Sequence, residues 1–306
     1  MSAMPLPASM RVFERGWLSA NNVLFIDDAT QDTVLVDTGY VSHAAQTVAL
    51  VEAALQGRPL RRVINTHLHS DHCGGNAALH AAYRCRIAIP AAECAKVDAW
   101  DEDALSFRAT AQQCPRFSHD DALEPGRRLR MGDLDWQALA APGHDPHALL
   151  LWCEEEGILI SGDALWQNGF GVVFPELAGE PGFHDVRATL DLIATLDARI
   201  VIPGHGSPFS DVAAALDRAR SRLDYLAADP ARNAENAARV LMKFLLLERR
   251  RLPLAEVEAL CASVPLLVLA RERFLHGSSG DLAARLVQAL VKAGAARLEG
   301  DTLVDN

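Results

Sequence analysis

The ten residues Thr66-His67-Leu68-His69-Ser70-Asp71-His72-Cys73-Gly74-Gly75 constrain this chain more than any others. Three histidines and an aspartate fall within six positions, behind the hydrophobic run 62–66 and ahead of two glycines. Imidazole and carboxylate donors together suit zinc and similar divalent ions. A tight turn aims neighbouring side chains in different directions, so four donors at this spacing can serve two adjacent ions. The glycines permit the turn and let backbone approach it closely. The cluster therefore reads as a strand over 62–66, a turn, and a helix over 74–82. Pro142-Gly143-His144, Ser161-Gly162-Asp163 and Pro203-Gly204-His205-Gly206 each place one further donor just after an apolar run.

The rest of the first 205 residues alternates strand-like and helix-like segments. Runs 22–27, 33–37, 134–140, 148–153, 157–161 and 199–203 are rich in branched and aromatic residues and bounded by turn residues, which predicts strands. Segments 41–55 and 185–196 carry helical spacing. Strands with intervening helices imply helix layers over sheet. The charged stretch 91–117 is expected to be helical. The stretch 164–183, with its glycines and aromatics, is expected to be a long loop. The chain changes character near Pro230: residues 230–306 hold eleven Lys and Arg against nine Asp and Glu, whereas the residues before them hold eighteen against thirty-one. That tail predicts helices at 234–248, 254–262 and 282–293 and a small hairpin at 296–304, the order of a winged-helix module. The expected division is a catalytic domain over 1–229 and a winged-helix-like domain over 230–306.

Half of the 306 residues are hydrophobic, enough for a substantial core, and the net charge of −11 argues against a binder of nucleic acid driven by bulk electrostatics. The six cysteines form no CxxC pair, and residues 1–15 lack the apolar segment of a secretory signal. No apolar run is long enough for a membrane span. The expectation is a cytoplasmic protein with free thiols and no membrane partner.

The motif set resembles the metallo-β-lactamase superfamily: HxHxDH, then a downstream His, an Asp in a Gly-Asp pair, and a His in Pro-Gly-His-Gly. The resemblance covers about residues 10–210 and implies an α/β fold, the αββα sandwich, with a metal centre at one edge of its two sheets. It implies that His67, His69 and His144 hold one ion, that Asp71, His72 and His205 hold a second, and that Asp163 bridges them. It also implies that Asp37, in Val34-Leu35-Val36-Asp37-Thr38-Gly39, supports the ligands from behind. Two divalent ions, zinc first and iron or manganese as alternatives, would activate a shared water, so no serine or cysteine nucleophile is required. Asp71 and Asp37 are accordingly the candidate catalytic carboxylates. Cys73, beside the ligands, reads as a small buried residue.

Within that family the true β-lactamases carry Cys or Ser where the bridging carboxylate would stand. The glyoxalase II-type thioesterases, lactonases and nucleases keep Asp. The resemblance therefore favours hydrolysis of a small-molecule ester, thioester or lactone. The alternatives are cleavage of single-stranded RNA, as in relatives with a winged-helix tail, and iron-dependent persulfide dioxygenation. Trp166, Phe170 and Phe174, in the segment after Asp163, are candidates for an apolar substrate pocket, with His147, His184 and Trp100 as weaker ones. The expected partner is a small molecule. Nucleic acid is a secondary expectation through the tail, where Arg249-Arg250-Arg251 forms a basic cluster, and a homodimer is compatible with the sequence.

Overall fold

The computed structural model describes residues 6–306. Strands β1 (Met10–Phe13), β2 (Asn22–Asp27), β3 (Asp32–Val36), β4 (Arg62–Ile64), β5 (Arg86–Pro90) and β6 (Asp121–Leu123) lie side by side in that order. The first three are antiparallel, and β3 to β6 run parallel. A second sheet has the order β11 (Ile200–Pro203), β10 (Ile158–Gly162), β9 (Leu149–Cys153), β8 (Leu134–Ala140), β7 (Arg128–Met131). Within it β10 and β11 are parallel, and the other neighbours pair antiparallel.

Alternation along the strands builds the layers. On β2 and β3, Val23, Phe25, Val34 and Val36 face the second sheet, where they meet Leu149, Leu151, Ile158 and Ile160. Their neighbours Leu24 and Leu35 turn the other way, as a period of two requires. They pack on α1 (Ala44–Leu55), α3 (Asn76–Tyr83) and α4 (Cys94–Ala99) through Val51, Leu55, Leu79 and Val97. Leu150, Trp152 and Leu159 do the same on the far side of the second sheet. They meet Leu190 and Ile193 of α7 (Gly182–Thr195) and Leu216, Ala219 and Leu223 of α8 (Val212–Ala227). The result is an αββα sandwich.

Short helices α2 (Ser70–Cys73), α5 (Phe107–Thr110) and α6 (Pro175–Ala178) punctuate the loops at one edge. The expected helix over 91–117 is mostly absent. Only α4 and α5 are α-helical there, because Trp100, Ser106 and Ala111 take left-handed backbone and break the chain into turns. The Trp100 ring instead packs against Phe107 and Phe117, at 6.0 and 5.5 Å. The expected loop 164–183 likewise contains α6 and the start of α7.

The tail comprises α9 (Pro230–Arg249), α10 (Leu254–Ser263), α11 (Pro265–Ala270) and α12 (Ser279–Lys292), with β12 (Arg251–Pro253) pairing beside the hairpin β13 (Ala296–Glu299) and β14 (Thr302–Asp305). Asp229 caps α9 by accepting from Ala231 N at 3.0 Å, with Pro230 in the first turn. Ser278 and Asp281 cap α12 reciprocally. Leu241, Leu245, Leu260, Leu267 and Leu286 form the tail's core, and that core also takes in Val172 and Leu177 from the 164–183 segment. Polar contacts fasten the same junction. Asn233 Nδ2 donates to Val173 O at 3.0 Å, Arg273 Nη1 to Leu177 O at 2.9 Å, and Tyr40 Oη to Glu248 Oε1 at 3.0 Å.

Candidate metal centre

Every donor singled out in the sequence lies just beyond the C-terminal end of a strand, and all of them meet at one edge of the sandwich. His67, His69, Asp71 and His72 follow β4, His144 follows β8, Asp163 follows β10 and His205 follows β11. They assemble into two groups whose donor atoms lie within 4.8 Å of one another: His67, His69 and His144; and Asp71, His72, Asp163 and His205. Asp163 reaches both. One oxygen is 3.4 Å from His72 Nε2, and the other is 3.4 Å from His144 Nε2 and 3.8 Å from His205 Nε2.

In the first group His67 and His144 each turn one nitrogen inward and are held by the other. His144 Nδ1 donates to Val172 O at 2.5 Å, which leaves Nε2 to meet His69 Nδ1 at 2.8 Å. His67 Nδ1 contacts Thr66 Oγ1 at 3.1 Å. In the second group His72 Nδ1 meets Asp37 Oδ2 at 2.8 Å. That carboxylate also accepts from Thr66 N at 2.9 Å and Thr66 Oγ1 at 2.8 Å. Asp37 itself adopts left-handed backbone, with φ of 56°, which turns its side chain back beneath the HxHxDH segment. Carboxylate support of this kind fixes both the tautomer and the ring orientation of a ligand histidine.

The geometry tolerates no extra atom in places. A Cβ on Gly204 would lie 2.2 Å from Asp163 Oδ1, and one on Gly171 would lie 2.5 Å from His144 Nδ1. Burial lowers the pKa of His67 well below its ordinary value and brings His144 down to about 4, with neighbouring imidazoles adding to the effect. Both are thus neutral and able to offer lone pairs. Burial would raise Asp163, yet His205 and His72 outweigh it and hold the carboxyl well below the usual range. Burial would lower His72, but Asp37, Asp163 and Asp71 raise it well above. The second group therefore demands positive charge.

Divalent ions fit the donor set. Nε2 of His67 and Nε2 of His72 are buried without a hydrogen-bond partner, a costly state for a polar atom inside a protein. Both atoms belong to the donor groups, where a bound cation would satisfy them. A third group, Glu93, Asp145 and His147, stands next to the first. There the Lys96 ammonium already donates to Glu93 Oε1 at 2.9 Å, and His147 Nδ1 bonds the same carboxylate.

Around the ligands the structure separates the aromatic candidates. Trp166 donates its indole N–H to Asp163 Oδ1 at 3.1 Å, and the Phe174 ring stands 5.8 Å from His69 and 5.9 Å from His144. Phe170 is not in the pocket. It is 1% exposed, packed in the core between the second sheet and α7–α8, with Arg222 over its ring. Trp100 is a packing residue of the outer layer, and His184 is exposed on α7. His147 lies beside the site against Glu93. Cys73 is fully buried, with its sulfur 3.7 Å from that of Cys114.

Several contributors carry no signal in the sequence. Trp17, half exposed, stacks parallel to His205 at 5.4 Å. Asp145 Oδ2 lies 3.9 Å from His69 Nε2. From the tail, Val240, Leu241 and Phe244 of α9 roof a narrow chamber of about 50 Å³ above the donors, closed at the side by Thr110 and Gln112. Only the spacing of Leu241 and Phe244, an apolar helix face in need of a partner, hints at this. His69, Thr110, His144 and Phe174 line both the chamber and a larger cleft of about 370 Å³.

The sequence model of the family described as Metallo-beta-lactamase superfamily matches residues 16–205. The chain belongs to that superfamily. It is 29% identical over 206 residues to a protein named hydroxyacylglutathione hydrolase from Anaeromyxobacter dehalogenans, covering 67% of this chain and 69% of that one. A protein of the same name from Rhodospirillum rubrum is 28% identical over 131 residues, covering 43% and 44%. The chain thus spans about half the length of several curated relatives that it matches. A solved structure described as a beta-lactamase domain protein from Burkholderia ambifaria aligns with 99% of this chain and 97% of its own, with a TM-score of 0.58 and 21% identity. That likeness concerns the fold and includes the tail. Among the described residues no helix is long and apolar enough to cross a membrane.

Proposed function

We propose that this chain is a hydrolase that holds two divalent ions, zinc before iron or manganese, and cleaves a small-molecule ester, thioester or lactone. One observation carries the reading: Asp163 extends one carboxylate oxygen toward each donor group. A carboxylate in that position couples two ions into one centre, and the hydroxyacylglutathione hydrolase relatives are named for thioester cleavage. Held by these residues, two ions would lower the pKa of a shared water and polarise the acyl oxygen of a substrate.

The chain's own residues do the rest. Asp71 and Asp163 offset the ionic charge, and Asp37 keeps His72 in the tautomer that offers Nε2 inward. Trp166 steadies Asp163 through its N–H. Val240, Leu241 and Phe244 keep bulk water off the upper face of the chamber, which strengthens every charge interaction beneath them.

The tail arginines support a small molecule over RNA, because each is already paired. Arg249 contacts Glu256, Arg250 contacts Asp305, and Arg251 meets Glu299 at 2.9 Å. In this reading the winged-helix-like tail serves the site as a wall. The six unpaired cysteines are in keeping with a reducing, cytoplasmic setting. The test is a panel of thioester, lactone, phosphodiester and persulfide substrates, run on metal-loaded and chelated protein. Metal-dependent cleavage of thioester, ester or lactone is expected. Activity confined to RNA, or oxygen uptake with persulfide alone, would contradict the reading.

A further inference from the structure

The cleft that shares His69, His144 and Phe174 with the chamber is lined by two unlike sets of side chains. Leu105, Phe174, Leu177, Leu266 and Leu269 form the apolar set, drawn from three separate parts of the chain: the segment before α5, the turn at α6, and α11 of the tail. Leu266 is 8% exposed and Leu269 and Phe174 are half-buried, so apolar faces of the fold border the opening. The cleft's carboxylates are Glu93, Asp103, Asp145 and Glu180: Lys96 pairs with Glu93 at 2.9 Å and Arg108 with Asp103 at 3.3 Å, which leaves Asp145 and Glu180 with no lysine or arginine partner among the described residues. The chamber over the donors adds no lysine or arginine.

From this, and resting on the hydrolase reading above, we infer that the substrate is a neutral acyl compound whose apolar chain lies in the cleft along α11, and that a dianionic leaving group such as glutathione is disfavoured. The chamber of about 50 Å³ holds little beyond the reacting group, so the remainder of a substrate extends into the cleft of about 370 Å³. That volume lies in the lower range of small-ligand pockets. Each methylene buried there strengthens binding about fourfold at most. The unpaired carboxylates of Asp145 and Glu180 repel an anion in the same space and leave a neutral chain unaffected.

The experiment measures kcat/KM of the metal-loaded full chain on acetyl, hexanoyl and octanoyl thioesters of N-acetylcysteamine, and on a hydroxyacylglutathione. The expected result is a rise of at least tenfold from acetyl to octanoyl, with the glutathione thioester at least tenfold below octanoyl. Leu269→Asp and the lip-filling Ala178→Trp, at a surface position, should each cut the octanoyl-to-acetyl ratio at least fivefold. Calorimetric binding of 1-octanol to the same proteins, with and without metal, should follow that ratio. A flat chain-length series, a ratio unchanged in both variants, or preference for the glutathione thioester overturns the inference. Failure to cleave any acyl compound while octanol still binds would instead sink the hydrolase reading and leave the cleft assignment standing.

Discussion

The floor of the chamber and its roof are made of different materials. On the floor, His67, Asp71, His72, Asp163 and His205 are at most 6% exposed, and the backbone approaches so closely that a Cβ on Gly204 would lie 2.2 Å from Asp163 Oδ1. On the roof, Val240, Leu241 and Phe244 meet the site through hydrocarbon alone, from a helix that lies outside the matched family region. A floor of that kind tolerates no displacement, because ligand geometry has to hold within fractions of an ångström. A roof of packed side chains can change shape and still exclude water. The difference teaches how the proposed hydrolase would divide its work: the sandwich edge would set the reaction, and the tail would set what reaches it.

The largest break in that contrast comes from the floor. His69→Ala or Asp163→Ala should abolish both metal loading and turnover, while circular dichroism shows the fold intact, since the cores of the sandwich contain neither side chain. Near-normal activity in either variant would remove that residue from the centre. Gly204→Ala should come close to the same loss, because the added Cβ would stand 2.2 Å from Asp163 Oδ1. Metal content after dialysis measures it.

Asp37→Asn should weaken metal affinity by about 10–100-fold, the usual cost of losing a carboxylate behind a ligand histidine. Competition with a chelator of known strength reads this directly. Phe244→Ala on the roof should leave metal content unchanged and raise KM by roughly tenfold or less, in line with the loss of one apolar contact. If it stripped the metal, floor and roof would not be separable. The smallest effect belongs to Arg249→Ala at the exposed end of α9, which should shift stability by no more than about 0.5 kcal/mol in urea denaturation.

The same contrast explains which parts of the molecule are legible in its sequence. Imidazoles and carboxylates are rare in cores, so His67, His69, Asp71, His72, His144, Asp163 and His205 stand out by type and by position after apolar runs. Leu241 and Phe244 do not, because an apolar face at helical spacing looks alike whether it meets another helix or a metal chamber. The stretch 91–117 misleads for a related reason. Its charged residues suit a helix, yet tertiary contacts of Trp100, Phe107 and Phe117 override that preference and turn the chain at Trp100, Ser106 and Ala111. Strand β5 and helix α8 escape the reading of local pattern, and Phe170 is a pocket candidate only by its proximity to Asp163 along the chain, whereas its side chain faces the core. The fold class is legible because β2, β3, β9 and β10 are short apolar runs bounded by turn residues, which is a local property of the chain.

The proposed centre holds two ions through Asp163. Elemental analysis of natively purified, metal-replete protein tests that claim most directly. Two equivalents of divalent metal per chain are expected, falling to none in Asp163→Ala. A stoichiometry of one or less in the unaltered chain would contradict the two-ion centre.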